Sequence, residues 1–125
     1  MKFPDKIIIE FVPHSDQLYD TAGNYQKLQR DWYISISNMK SWKYMFLTTI
    51  HELIEMGLTK HHNIPWAIID EWDYTHLDAD DPGALPGCPY KKEHLAAERL
   101  EKLLALLLGV KWNAYIKALD RLKWK

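Results

Sequence analysis

The chain has 125 residues, enough for one domain spanning 1–125 around one core and too few for two. Hydrophobic residues make up 47% and charged residues 26%, a globular rather than a disordered balance, and a net charge of −1 gives no whole-chain electrostatic case for nucleic acid. No apolar run reaches the roughly 18 residues of a membrane span, the N-terminus lacks a signal-peptide core, and the single cysteine, Cys88, can form no internal disulfide, so the cytoplasm is the default location.

Ile7–Val12 is β-branched and aromatic and predicts a strand ended by Pro13. Residues 21–24, with Ala-Gly-Asn, predict a turn. In Asp31–Ser37, Trp32, Ile34 and Ile36 alternate with Tyr33, Ser35 and Ser37, the pattern of a half-buried strand antiparallel to a neighbour. Asn38 or Ser41 can cap a long helix over 42–60, with Gly57 as an interior blemish. Asn63 can cap a second helix to about residue 77, with Pro65 in its first turn. Residues 78–89 hold three prolines and two glycines and predict a loop. A third helix is expected over 90–108, stopped by Gly109, and an amphipathic fourth over 112–122. Two basic clusters, Lys91, Lys92, Arg99 and Lys102, then Lys117, Arg121, Lys123 and Lys125, read as solvated helix faces.

The chemistry concentrates in the first helix, at His51-Glu52-Leu53-Ile54-Glu55. At 100° per residue His51 and Glu55 lie 40° apart, on the side of Tyr44, Leu47, Ile54 and Leu58. A carboxylate on an apolar face must pair or neutralise. A divalent metal accepts both side chains; a buried His–Glu hydrogen bond is the plain alternative. The segment is similar to the His-Glu-x-x-His helix of zincin metallopeptidases, in which two His bind zinc and the Glu is the general base. Glu55 replaces the second His, so a distant histidine would restore the set.

His94 is the candidate. In the third helix Tyr90, His94, Glu98 and Glu101 share a face that turns apolar at Ala105 and Leu108. The plain reading puts Glu98 and Glu101 in solvent, with Lys102 as a partner. Asp70 and Asp73 share a face of the second helix with Trp66, Tyr74 and Leu77, where capping, hydrogen bonds to Trp or Tyr, or a metal would each explain them. His61, His62 and His76 lie near helix ends, where the helix dipole suffices. His14 follows a strand and carries little information, and Cys88 reads as a loop residue.

The order of motifs resembles a family of small proteins of tailed bacteriophages and prophages. It runs through Thr21-Ala22-Gly23-Asn24-Tyr25, Ile34-Ser35-Ile36-Ser37, the His51 to Glu55 segment, Asp70-Glu71-Trp72-Asp73 and Asp81-Pro82-Gly83. It continues with Pro89-Tyr90-Lys91-Lys92-Glu93-His94, Ala97 and Glu101, and Leu108-Gly109-Val110-Lys111-Trp112-Asn113-Ala114-Tyr115. The family often has Glu at the place of Asp81 and a small residue at that of Cys88. The resemblance covers roughly residues 15–115 and implies a phage or prophage origin, but no reaction.

The expected architecture is α+β and mainly helical: four helices and a small antiparallel sheet packed on a central metal-bearing helix, zincin-like by analogy. Three functions compete. In a zinc-dependent hydrolase or peptidase-like domain, His51, Glu55 and His94 hold the metal, Glu52 is the base and Tyr90 donates to an oxyanion. In a metal-stabilised accessory or interaction protein, Asp73 or Glu98 closes the site. In a two-metal carboxylate site, Glu52, Glu55, Asp70, Asp73 and Glu98 join the histidines around iron or manganese. The partner expected is a small molecule or a protein, and the aromatic excess of six Trp and seven Tyr hints at a homo-oligomer.

Overall fold

The computed structural model describes residues 3–122. Three strands, β1 (Ile7–Val12), β2 (Gly23–Leu28) and β3 (Asp31–Ser37), form a sheet in the order β1-β3-β2. Four helices follow: α1 (Trp42–His61), α2 (Trp66–Thr75), α3 (Lys91–Leu107) and α4 (Trp112–Asp120). The class is α+β. No helix among the described residues is long and apolar enough to cross a membrane.

The alternation in β3 does what it predicts: Trp32, Ile34 and Ile36 are buried in the main core with Tyr25, Met56, Ile69, Cys88 and Tyr90. The sheet, however, is mixed rather than antiparallel. β2 and β3 pair antiparallel through a tight turn in which Gln29 adopts a φ of 56°. That hairpin takes one side of β3, so β1 must use the other. The chain reaches β2 from β1 by crossing the end of β3, which makes β1 and β3 parallel, with Ile9 opposite Ile34. The expected turn at 21–24 is half right, because Gly23 and Asn24 already belong to β2.

The crossing segment is pinned to Ser37 at the end of β3. His14 Nδ1 lies 2.8 Å from Ser37 Oγ and its Nε2 lies 2.8 Å from Asp20 Oδ1. Gln17 Nε2 donates to Ser35 O at 3.2 Å and to Ser37 Oγ at 3.1 Å, and Ser37 Oγ donates to Thr21 O at 3.2 Å. Ser37 is fully buried, so this Ser–His–Asp series holds the crossing in place and offers no nucleophile to a substrate.

Asn63 ends α1 instead of starting α2. It has a φ of 58°, its N–H reaches Lys60 O at 3.1 Å, and the Ile64 N–H reaches Thr59 O at 2.9 Å, the Schellman arrangement. Gly109, at φ 70°, closes α3 in the same way, with the Val110 N–H on Ala105 O at 2.8 Å. Pro65 then stands at the N-cap of α2. The loop after α2 is irregular apart from a 3-10 turn at Pro82–Ala84, which Trp72 Nε1 holds by donating to Pro82 O at 2.9 Å.

α1 packs against β2, β3 and α3. A second core, built on Leu47, Ala105 and Tyr115, fixes α1, α3 and α4 together. The basic side chains of Lys92, Arg99, Lys102, Lys117 and Arg121 are exposed as expected, whereas Lys91 is half-buried; Lys123 and Lys125 lie outside the described residues. Of the aromatics, Trp42 is 63% exposed, but the large apolar side chains left most open are Leu106 and Leu107 of α3, at 76% and 75%.

Candidate metal centre

α1 and α3 face each other where both carry polar residues. His51 and Glu55 come from successive turns of α1, and His94 from the first turn of α3. His51 Nε2 stands 3.0 Å from Glu55 Oε2 and 3.2 Å from His94 Nδ1, and His94 Nδ1 stands 2.9 Å from the same Glu55 oxygen. Three ligand-type atoms thus form a near-equilateral triangle. Two ligands at zinc bond lengths in a tetrahedral site stand about 3.3 Å apart, so the triangle is close to the size such an ion needs.

The other ring nitrogen of each histidine faces outwards onto a carboxylate. His51 Nδ1 donates to Glu101 Oε1 at 2.8 Å, and His94 Nε2 donates to Asp81 Oδ1 at 2.9 Å. A carboxylate only accepts, so both outer nitrogens carry their proton. Each inner nitrogen must then present either a second proton or a bare lone pair. With both protons on, two N–H groups would oppose one another across 3.2 Å. Glu101 is itself fixed by the Tyr115 hydroxyl, which also meets Thr48, and Glu55 Oε1 accepts from Tyr25 at 2.9 Å.

The electrostatics match. Burial pulls the His51 pKa down, but the hydrogen-bonded Glu101 and Glu55 outweigh it and hold the imidazole well above its ordinary range. For His94, burial again lowers the pKa, while Asp81 and Glu55 raise it to about 10. Burial would raise the Glu55 pKa, yet its bonds to His51 and His94 bring it down to about 2. Without a metal, protons on the two imidazoles supply the positive charge that these carboxylates face.

Glu52 behaves differently. It is half-buried beside the triangle and makes no hydrogen bond or ion pair among the described residues. Burial first, and the Glu55 charge second, push its pKa up to about 8. Both it and His94 need a missing side chain opposite. A Cβ on Gly23 would stand 2.6 Å from Glu52 Cγ and Oε1, and one on Gly83 would stand 2.5 Å from His94 Cγ and 2.6 Å from Nδ1. The sequence motifs Gly23-Asn24 and Pro82-Gly83 are thereby explained as clearances for two site residues.

Of the remaining expected site residues, Asp73 lines the same cavity but has both oxygens occupied, by the Tyr90 hydroxyl and by Tyr19 OH at 2.9 Å. Burial raises its pKa to about 6 against the pull of those two bonds. Tyr90, at the N-cap of α3, is thus positioned through Asp73. Glu98 lies on the outer side of His94, within 4.8 Å of His94 and Asp81 by its nearest ligand atoms, and pairs with Lys102 at 3.5 Å. His14, His61, His62 and His76 belong to no potential metal-binding group among the described residues. His62 instead contacts buried Glu93 at 2.5 Å, and His76 stacks on Trp72 with centroids 3.8 Å apart.

Reasoning from sequence passed over Asp81 and Glu101 as supports of the histidines. Glu101 was readable in principle, since it lies seven residues after His94 on the same helical face. Asp81 was not, because only the fold of the Pro-Gly loop brings it to His94. Compared with known proteins, the chain matches no family model, no curated protein and no solved structure.

Proposed function

We propose that this domain is a zinc-dependent hydrolase with zincin-like chemistry on a central metal-bearing helix. The observation that carries the reading is the triangle of His51 Nε2, Glu55 Oε2 and His94 Nδ1, with both outer imidazole nitrogens donated to carboxylates. Carboxylate–histidine pairs of this kind fix the tautomer and ring orientation of metal ligands. Three protein ligands facing a cavity leave a fourth position for water or substrate, as catalytic zinc requires. Zinc, when bound, would supply Lewis acidity and lower the pKa of that water.

The chain's own residues would do the rest. Glu52, which makes no hydrogen bond or ion pair among the described residues and whose pKa burial pushes up to about 8, is suited to take a proton from the attacking water and pass it to the leaving group. Tyr90 lines the cavity, but its one hydroxyl proton goes to Asp73, so a role as oxyanion donor would require it to exchange that partner. The likeness of the motif order to tailed-phage proteins supports a phage or prophage setting. A purely structural metal would leave Glu52 without a role, and a carboxylate with no hydrogen bond or ion pair among the described residues favours catalysis over it.

Glu52→Gln tests this. On zinc-loaded protein screened against peptide and ester substrates, the variant should keep one zinc per chain and lose activity by about a hundredfold or more. Undiminished hydrolysis by Glu52→Gln would refute the assignment.

A further inference from the structure

The triangle lies at the wall of a cavity of about 460 Å³. Its lining is unlike the chain as a whole. The sequence holds 16 Lys and Arg against 17 Asp and Glu, an almost even balance. Nine of those acidic residues line the cavity, and among the described residues no Lys or Arg does. Four of them, Asp70, Asp78, Asp80 and Asp120, come from three separate segments and make no ion pair among the described residues. Asp78, Asp80 and Asp120 are exposed, so they stand at the mouth. A divalent ion at the triangle would offset only part of this charge.

Resting on the hydrolase reading, which locates the site, we propose that the substrate is a cationic polypeptide, presenting a Lys or Arg side chain to the Asp70, Asp78 and Asp80 side of the cavity. The triangle says where the reacting group sits, and the wall sets the charge of what enters. A concave site of one sign focuses the field and concentrates counter-charged ligand. An ammonium or guanidinium has donors for the carboxylates that make no ion pair among the described residues. An anionic substrate would meet repulsion from each side of the mouth.

The test uses three capped peptides, Gly-Lys-Gly, Gly-Arg-Gly and Gly-Glu-Gly. Their binding is titrated calorimetrically onto zinc-loaded and zinc-stripped protein, with metal content measured on the same samples. The Lys and Arg peptides should bind zinc-loaded protein about tenfold or more tighter than the Glu peptide, and added salt should shrink the gap. The double variant Asp78→Lys, Asp80→Lys, on the exposed rim, should keep its circular dichroism and zinc content while losing or inverting the preference. Equal binding of the three peptides, tighter binding of the Glu peptide, or no binding at all overturns the proposal. So does complete displacement of the Lys peptide by an equal concentration of calcium, which would assign the carboxylates to an inorganic cation. Protein that holds no zinc yet prefers the basic peptides sinks the hydrolase reading alone; zinc-loaded protein without a preference sinks this proposal alone.

Discussion

His94 is held at both ring nitrogens, by Glu55 at 2.9 Å on one side and Asp81 at 2.9 Å on the other. On the proposed reading, the Asp81 contact is what prepares His94 as a metal ligand. It commits the outer nitrogen as donor and turns the inner one towards Glu55 and His51. Asp81 is exposed, so Asp81→Ala should leave the fold intact by circular dichroism. Its zinc dissociation constant should nonetheless rise about 10- to 100-fold in a competition titration with a chelating dye. An unchanged constant would show that Asp81 is a bystander. The same residues set a pH dependence. The His94 pKa is raised from 6.5 to about 10 in the folded, metal-free protein. A raised folded value stabilises fully below the unfolded value, and the contribution is lost as pH rises through the folded one. Thermal unfolding of metal-free protein should therefore move to lower temperature between about pH 6.5 and 10. Zinc-loaded protein, whose ligands must be neutral imidazoles, should not show that decline. Parallel curves for the two forms would argue against a metal at His94.

At the scale of elements, two backbone segments approach the site more closely than a side chain would allow. The Pro82–Ala84 turn passes over His94, and the start of β2 passes over Glu52. Gly83→Ala should push the imidazole off the triangle, because the new Cβ would sit 2.5 Å from His94 Cγ, the base of the ring rather than a flexible end. Zinc binding should weaken by at least as much as in Asp81→Ala, with the rest of the NMR amide spectrum unchanged; retention of full affinity would mean the loop yields instead. These approaches also mark where sequence stops being informative. The helices were legible because 3.6-residue periodicity and stops such as Gly109 are local signals, and β3 was legible from its strict alternation. β2 was hidden because Gly23 and Asn24 carry turn chemistry, while Gly23 is needed for its lack of a side chain. The parallel pairing of β1 was hidden because it follows from the path of the crossing segment, which no local pattern encodes. Asn63 ends α1 where its residue type equally predicts a start, because asparagine favours both a helix N-cap and a left-handed stop.

For the whole molecule, the fold can be understood as two cores with a polar seam between them. The sheet, α1 and α2 surround Ile34, Ile36 and Met56; α1, α3 and α4 surround Leu47, Ala105 and Tyr115. Glu55 and Glu101, each only 5% exposed, sit at this seam together with His51 and His94. Burying two carboxylates is costly unless positive charge accompanies them. His51, Glu55 and His94 were proposed together from the sequence, and the structure brings their ligand atoms within 3.2 Å of one another. The buried supports Glu101 and Tyr115 come from α3 and α4, so loading the centre should stiffen the packing of three helices at once. The most direct test is zinc titration of untagged, metal-stripped protein, followed by elemental analysis and X-ray absorption at the zinc edge. The account predicts one tightly held zinc per chain with two imidazoles and one carboxylate, a higher unfolding temperature on loading, and loss of both in His94→Ala. No stoichiometric metal, or a zinc that His94→Ala leaves in place with unchanged coordination, would contradict it.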